Sequence, residues 1–278
     1  MSSPVLVEID SGVPVLRDER RPLVRVDEAG YLRGDGVFET VSVLHGRPVG
    51  LDEHLERLAA SAEAIGLAIP EASRWSSALA LAVEVHDALD DLTVRFVAAS
   101  GSGSEARCTV HVSATPDSRS AREQGLSVIV LDRGYARGAL EGAPWLLGGV
   151  KTTSGAVTRA ALREATRRGA DDVVWRTSDG LLLEGATSSL VLVADGVLTT
   201  PSTGGILAGT TVERVLALGA ARGLAVARRE LPVEALAQAD AAWLVSSTRR
   251  AVPLRAVDGV PLRVDRDLTT AFEEGLLT

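Results

Sequence analysis

The chain has 278 residues, 46% of them apolar, and a net charge of −8. That is enough chain for one large domain or two modest ones around a real core, and its dispersed charge marks a globular composition. The negative balance argues against nucleic acid as the main partner, with the short basic pairs Arg167-Arg168 and Arg249-Arg250 reading as solvated faces.

Val5 to Ile9 reads as a short strand, and the alternating Gly36 to Leu44 (GVFETVSVL) as a longer one that turns at His45-Gly46. Leu51, Leu55, Leu58, Ala62 and Ile65 recur at helical spacing, and Gly66 closes that helix. A second helix is expected from Ser73 to His86, then strands Leu92–Ala99 and Arg107–Ala114 joined by the Gly/Ser-rich Ser100–Ser104. This gives an α+β N-terminal domain over residues 1–114. The polar Thr115 to Gln124 is the expected linker, and residues 125–278 form the second domain. That half opens with strand Leu126–Leu131 and a looser stretch, Gly134 to Gly149. A helix over Gly155–Arg168 follows, then strands Asp172–Arg176, Leu181–Glu184, Ser189–Ala194 and Val197–Thr200. The loop Pro201–Ala208 leads into a helix over Gly209–Arg222. Strands Leu224–Arg229 and Ala242–Ser246 and a closing helix, Asp265–Leu277, complete the chain.

Cys108 is the only cysteine, so neither an internal disulfide nor a cysteine metal cluster can form; its alternating apolar surroundings make it a core residue. His45, His54, His86 and His111 are scattered without metal-ligand spacing, and no metal is expected. No cleavable signal opens the chain and no apolar run reaches spanning length, so the expectation is a cytoplasmic protein without a membrane partner.

Lysine occurs once, at Lys151, against twenty-eight arginines. Arginine fills nearly every cationic position, so charge alone does not require a lysine. A lysine amine can lose its proton and attack a carbonyl, which arginine cannot. Lys151 is therefore either a Schiff-base lysine or the lone survivor of a compositional bias. Glu184 ends a strand, where it is an ordinary turn carboxylate or a partner for a pyridine nitrogen. Gly204 to Thr211 enters a helix, as a threonine-capped loop or as a phosphate cradle built from backbone N–H groups and the Thr210 and Thr211 hydroxyls. Arg57 lies off its helix's apolar stripe, so it is solvated or reaches sideways to a phosphate.

Together these segments resemble the class IV, fold-type IV enzymes of pyridoxal 5'-phosphate (PLP), a family of branched-chain and D-amino-acid aminotransferases and 4-amino-4-deoxychorismate lyases. The resemblance runs nearly end to end, through Arg33–Thr40 (RGDGVFET), His54–Leu58 (HLERL), Lys151-Thr152, Glu184–Ser189 (EGATSS) and Gly205–Thr211 (GILAGTT). It implies two domains, a smaller α+β one and a larger α/β pseudobarrel, with the cofactor in the cleft between them, and a homodimer acting on a small-molecule amine. It implies that Lys151 carries PLP and that Glu184 meets the pyridine nitrogen. Arg57, Thr210 and Thr211 would take the phosphate, with Ser188 and Ser189 near the ring face or the phosphate.

Thr40 resembles the threonine that the lyases carry beside the reacting carbon. The implied activity is a lyase releasing 4-aminobenzoate and pyruvate, a folate-pathway step, with Lys151 and Thr40 as catalytic groups. The alternative is a class IV aminotransferase acting on D-amino acids, branched-chain amino acids or amines. The sequence departs from many relatives at Thr153-Ser154, at Ser188-Ser189, and at Ser100-Gly101, where Arg-Gly is common. With Ser100 in that place, a substrate carboxylate is left to Arg95, Arg107 or Arg137.

Overall fold

The computed structural model describes residues 3–86, 91–103, 105–202 and 204–277; Ser104 and Thr203, which fall in two of the expected loops, lie outside them. The chain divides into two compact units. Met1–Pro116 joins with Val150–Gly155 in the first, and Asp117–Gly149 with Ala156–Thr278 in the second. Among the described residues no helix is long and apolar enough to cross a membrane.

The first unit is an antiparallel six-stranded sheet with two long helices on one face. In chain order its elements are β1 (Val5–Asp10), β2 (Val13–Arg17), α1 (Ala29–Arg33), β3 (Gly36–Leu44), β4 (Arg47–Pro48), α2 (Leu51–Ala64), α3 (Ala72–Val85), β5 (Asp91–Ser100) and β6 (Ala106–Ala114). The strands lie in the order β2-β1-β6-β5-β3-β4. Alternation along β3 sends Val37, Val41 and Val43 into the core with Leu55, Leu58 and Ala62 of α2. Trp75 of α3 meets Phe96 of β5 edge to face at 5.8 Å and donates its indole N–H to the Pro70 carbonyl, so the ring is buried with its polar atom satisfied. Cys108 is buried in the same core.

Segment 150–155 belongs to this unit by its backbone, although the sequence alone groups it with residues 125–278. Phe38 N–H donates to the Lys151 carbonyl at 3.0 Å and Thr153 N–H to the Gly36 carbonyl at 2.8 Å, so the segment runs as an added rung beside β3. Gly34 allows that approach, and Gly36 allows the close pairing of β3 with β5. A Cβ on Gly34, itself left-handed at φ 67°, would lie 2.8 Å from Ser154 Oγ, and one on Gly36 would lie 2.7 Å from the Ala98 carbonyl.

The second unit contains α4 (Arg119–Gln124), β7 (Leu126–Asp132), α5 (Ala156–Arg167), β8 (Asp172–Arg176), β9 (Leu182–Gly185), β10 (Ser189–Ala194), β11 (Val197–Pro201) and α6 (Thr210–Ala221). It continues with β12 (Ala225–Arg229), α7 (Glu234–Ala237), β13 (Ala241–Ser246), β14 (Arg250–Val257), β15 (Val260–Pro261) and α8 (Arg266–Leu276). The sheet order is β12-β11-β10-β13-β14-β7-β8-β9, with β15 on β14. It curls until β9 returns beside β10, where Gly185 N–H donates to the Ser188 carbonyl at 2.7 Å. A Cβ on Gly185 would lie 2.9 Å from Leu244 of β13. The curled sheet encloses a core of Val128, Val174, Leu182, Leu190, Leu244 and Leu254; a second core lies under α6 and α8 around Trp243 and Phe272.

Three expectations change here. The second half of the expected linker, 119–124, is helix α4, with Arg122 paired to Glu273. Strand β14, in a stretch to which the sequence assigns no element, is central and largely buried. Pro253 pairs with Trp243 in the β13 ladder and stands one residue before the β7 ladder begins at Leu254. The Arg249-Arg250 pair is not a solvated face: Arg249 pairs with the buried Asp172, and Arg250, with a side chain only 12% exposed, pairs with Glu273.

Candidate active site

In the first unit the candidate residues gather on β3 and the segment beside it. The amine of Lys151 stands 4.8 Å from the centre of the Phe38 ring, and Lys151 N–H donates to Ser61 Oγ of α2 at 3.3 Å. The departures Thr153 and Ser154 both donate their hydroxyls to the Gly34 carbonyl, at 2.9 and 2.8 Å, which fixes the chain just after the lysine. Thr40, two residues along from Phe38, shares its face, and Arg95 of β5 sits directly opposite Thr40 in the ladder. The Arg95 guanidinium lies 5.8 Å from the Phe38 ring centre. Phe38, Thr40, Arg95 and the Lys151 amine thus form one polar-rimmed aromatic patch.

Glu39 points to the opposite, helix-facing side of β3 and is wholly buried. Its carboxylate accepts from Arg57 Nε at 2.6 Å and Arg57 Nη2 at 2.9 Å, from its neighbour Thr40 N–H at 3.2 Å, and from His54 Nδ1 at 2.7 Å. With His54 Nδ1 that close to a carboxylate, the ring proton sits on Nδ1. Burial alone would push the Glu39 carboxyl up. The bonds from His54 and Arg57 and the charges of Arg57 and Lys151 outweigh it and hold the carboxyl down at about 2. Arg57 is therefore not a solvated arginine: its side chain is 13% exposed, and its planar fork is locked by a buried carboxylate.

The three arginines considered for a substrate carboxylate part company. Arg107 is held by Glu28 and Glu8, and its bonds hold the Glu28 carboxyl below its ordinary value. Arg137, in the second unit, is paired with Glu230. Among the described residues Arg95 has no carboxylate partner; burial and the Arg95 charge push the His111 imidazole down beside it. Ser100, where the family resemblance led us to expect arginine, donates to Asp35 at 2.6 Å.

In the second unit Glu184 lies one residue before the end of β9 and accepts the Leu207 N–H at 3.4 Å from the loop that leads to α6. Ser188 precedes β10 and Ser189 opens it, both buried. Ser189 packs so closely on the start of α6 that a Cβ on Gly209 would lie 2.4 Å from its Oγ. A Cβ on Gly185 would likewise lie 2.4 Å from Ser188 Oγ. The two glycines let Glu184, Ser188, Ser189 and the first turn of α6, with Thr210 and Thr211, crowd together. The α6 backbone N–H groups of that turn lack intrahelical partners and carry the positive end of the helix dipole.

The structure thus brings Lys151, Thr40 and Arg57 together in one unit, and Glu184, Ser188, Ser189, Thr210 and Thr211 in the other. Sequence reasoning missed Glu39, His54 and Phe38 as members of the first set and Arg249 as a member of the second. For Glu39 a signal existed: an acidic residue on the inward face of an alternating strand needs a buried partner. Arg249 gave none, because its turn precedes a stretch to which the sequence assigns no element.

A family model described as amino-transferase class IV matches residues 36–257. The chain is 36% identical over 251 residues to a bifunctional aminodeoxychorismate lyase / D-amino acid transaminase of Mycobacterium tuberculosis, covering 86% of this chain and 87% of that one. It is similar in structure to a fold IV-transaminase from Curtobacterium pusillum, with a TM-score of 0.94 and 39% identity over 99% of this chain and 97% of that one. The PLP-bound form of a hypothetical aminotransferase from Mycobacterium tuberculosis superposes with a TM-score of 0.91 at 35% identity, over 99% and 97% of the two chains.

Proposed function

The chain belongs to the amino-transferase class IV family and is a PLP-dependent enzyme of fold type IV, and from that premise we propose that it is a 4-amino-4-deoxychorismate lyase. The observation that carries this reading is the first-unit patch: the only lysine amine over Phe38, with Thr40 on the same strand face. The donor set suits a phosphorylated pyridine aldehyde. Lys151 would bind the aldehyde carbon, Glu184 would hold the pyridine nitrogen protonated, and Arg57, Thr210 and Thr211 would take the phosphate, with Ser188 and Ser189 beside them. Bound PLP supplies an electron sink for the carbon that bears the substrate amine.

The Lys151 amine would serve as the base that takes the proton from that carbon. The bond from the ring to the enolpyruvyl ether oxygen then breaks, and the carbocycle becomes aromatic as 4-aminobenzoate. Thr40 assists protonation of the departing enolpyruvate, which leaves as pyruvate. Arg95, directly across the ladder from Thr40, is the arginine we assign to a substrate carboxylate. R95M should raise KM about tenfold or more, the loss expected for a charge-assisted bond.

The test is to incubate PLP-loaded protein with 4-amino-4-deoxychorismate and measure 4-aminobenzoate and pyruvate. Equal release over many turnovers supports the lyase, and no product from fully loaded protein overturns it. T40G should cut lyase turnover more than transamination, and an equal loss of both removes Thr40 from the lyase step. A second reading, a transaminase acting on D-amino acids, draws support from the double name of the Mycobacterium tuberculosis relative and from Ser100 in place of arginine. In that case Lys151 would again be the residue that holds and moves the proton taken from the carbon bearing the amine. Our reading further includes a cytoplasmic homodimer in the folate pathway. Sedimentation tests the dimer, which would cover exposed apolar side chains such as Tyr31 and Trp145.

A further inference from the structure

Arg249 stands in the tight turn between β13 and β14, next to Arg250, whose backbone is left-handed at φ 61°. Its guanidinium spans two partners. Nη1 donates to Asp172 Oδ2 at 2.7 Å, and Nη2 donates to Ser188 Oγ at 3.2 Å. Asp172 is 2% exposed and Ser188 7%. The other Asp172 oxygen accepts the Val173 N–H at 2.8 Å, so the carboxylate is anchored to the start of β8 and holds the arginine fork in turn. The Ser246 hydroxyl accepts Arg249 N–H at 3.4 Å, and the Arg249 carbonyl accepts Arg122 Nη1 at 3.4 Å.

A serine hydroxyl has one proton to give, whereas an arginine can only donate. With Arg249 donating into Ser188 Oγ, the Ser188 proton must point away from Arg249. Among the described residues it meets no acceptor, although the side chain is more than nine-tenths buried. The adjacent cation also polarises the O–H bond and strengthens it as a donor. The Ser188 backbone is fixed by the bond from Gly185 N–H, and the absence of a Cβ on Gly185 gives its Oγ room.

We propose that Arg249 is a positioning residue that makes Ser188 a one-way hydrogen-bond donor toward the bound phosphorylated cofactor. Arg249 itself acts only through Ser188. The inference rests on the assignment of Ser188 to the cofactor site made above.

The experiment titrates the apoprotein with PLP and compares wild type, S188A, R249K and the double variant. R249K keeps a cation opposite Asp172 but cannot span both partners, because an ammonium is a point donor where the guanidinium is a fork. S188A and R249K should each weaken PLP binding about five- to tenfold, and the double variant should bind no more than twofold worse than S188A alone. Losses that multiply, or R249K binding PLP as tightly as wild type while S188A is impaired, overturn the role of Arg249 and leave the Ser188 assignment intact. Normal PLP binding by S188A overturns both. Should R249K fail to fold, D172N/R249M removes both charges together and is measured in the same cycle.

Discussion

Replacing Glu39 with glutamine isolates the buried ionic network of the first unit. The Glu39 side chain is wholly buried and its carboxyl is held at about 2 against an ordinary 4.5. Each unit of such a shift is worth about 1.4 kcal/mol, so the network favours the folded state by about 3 kcal/mol at neutral pH. Removing one member of a buried pair costs about 3–5 kcal/mol by comparison with other proteins, in the same range. Glutamine keeps the shape but turns an NH2 group toward the Arg57 and His54 donors and leaves Arg57 without its counter-charge. E39Q apoprotein should therefore lose about 3 kcal/mol at pH 7, measured by urea denaturation. The folded-state carboxyl lies below its unfolded value, so the stabilisation is complete above about pH 4.5 and is lost as pH falls toward 2. The gap between wild type and E39Q should close across that window, and E39Q/R57M should recover most of the loss at pH 7. A gap under 1 kcal/mol at pH 7, or one that is unchanged at pH 3, would show that the network does not hold this unit together.

Three further outcomes follow from single contacts. G209A should destabilise the protein by about 1–3 kcal/mol, because its Cβ would meet Ser189 Oγ at 2.4 Å; S189A/G209A, which leaves contacts of 3.1 Å to Val212 Cγ1 and 3.5 Å to the Ser189 Cβ position, should recover most of that stability in thermal melts. Thr199 is fully buried and its hydroxyl meets no partner among the described residues, so T199V should raise stability by about 1 kcal/mol in urea denaturation. Burial and the charge of Glu8 push the Cys108 thiol up to about 12, so iodoacetamide should leave the native protein unlabelled at pH 8 and label it once urea unfolds the chain.

How much of this was readable from sequence depended on whether a residue's partner lay in its own element. Strand β3 and helix α2 announce themselves by period, because Val37, Val41 and Val43 and Leu55, Leu58 and Ala62 are simply the two halves of one core. Lys151 stood out by rarity alone. Glu39 carried a signal, an acid on an inward strand position, but its partners His54 and Arg57 lie fifteen and eighteen residues away and only the fold names them. The role of Arg249 depends on Asp172 and Ser188, which only the curl of the second sheet brings to it. Strand β14 contains Pro253, a residue that argues against a central strand by sequence, and only the fold shows it paired with Trp243 in the β13 ladder. Ser100 could be named as a departure, but that Arg95 rather than Arg107 remains for a carboxylate follows from Glu8 and Glu28, which reach Arg107 across the first sheet.

The most direct measurement is to load the protein with PLP, reduce it with borohydride and map the modified peptide by mass spectrometry. With one lysine in the chain, a single adduct on the peptide that contains Lys151, absent from K151A, is the expected result. PLP bound at one equivalent with no adduct at Lys151, or sustained turnover by K151A, would contradict the assignment on which the whole mechanism stands.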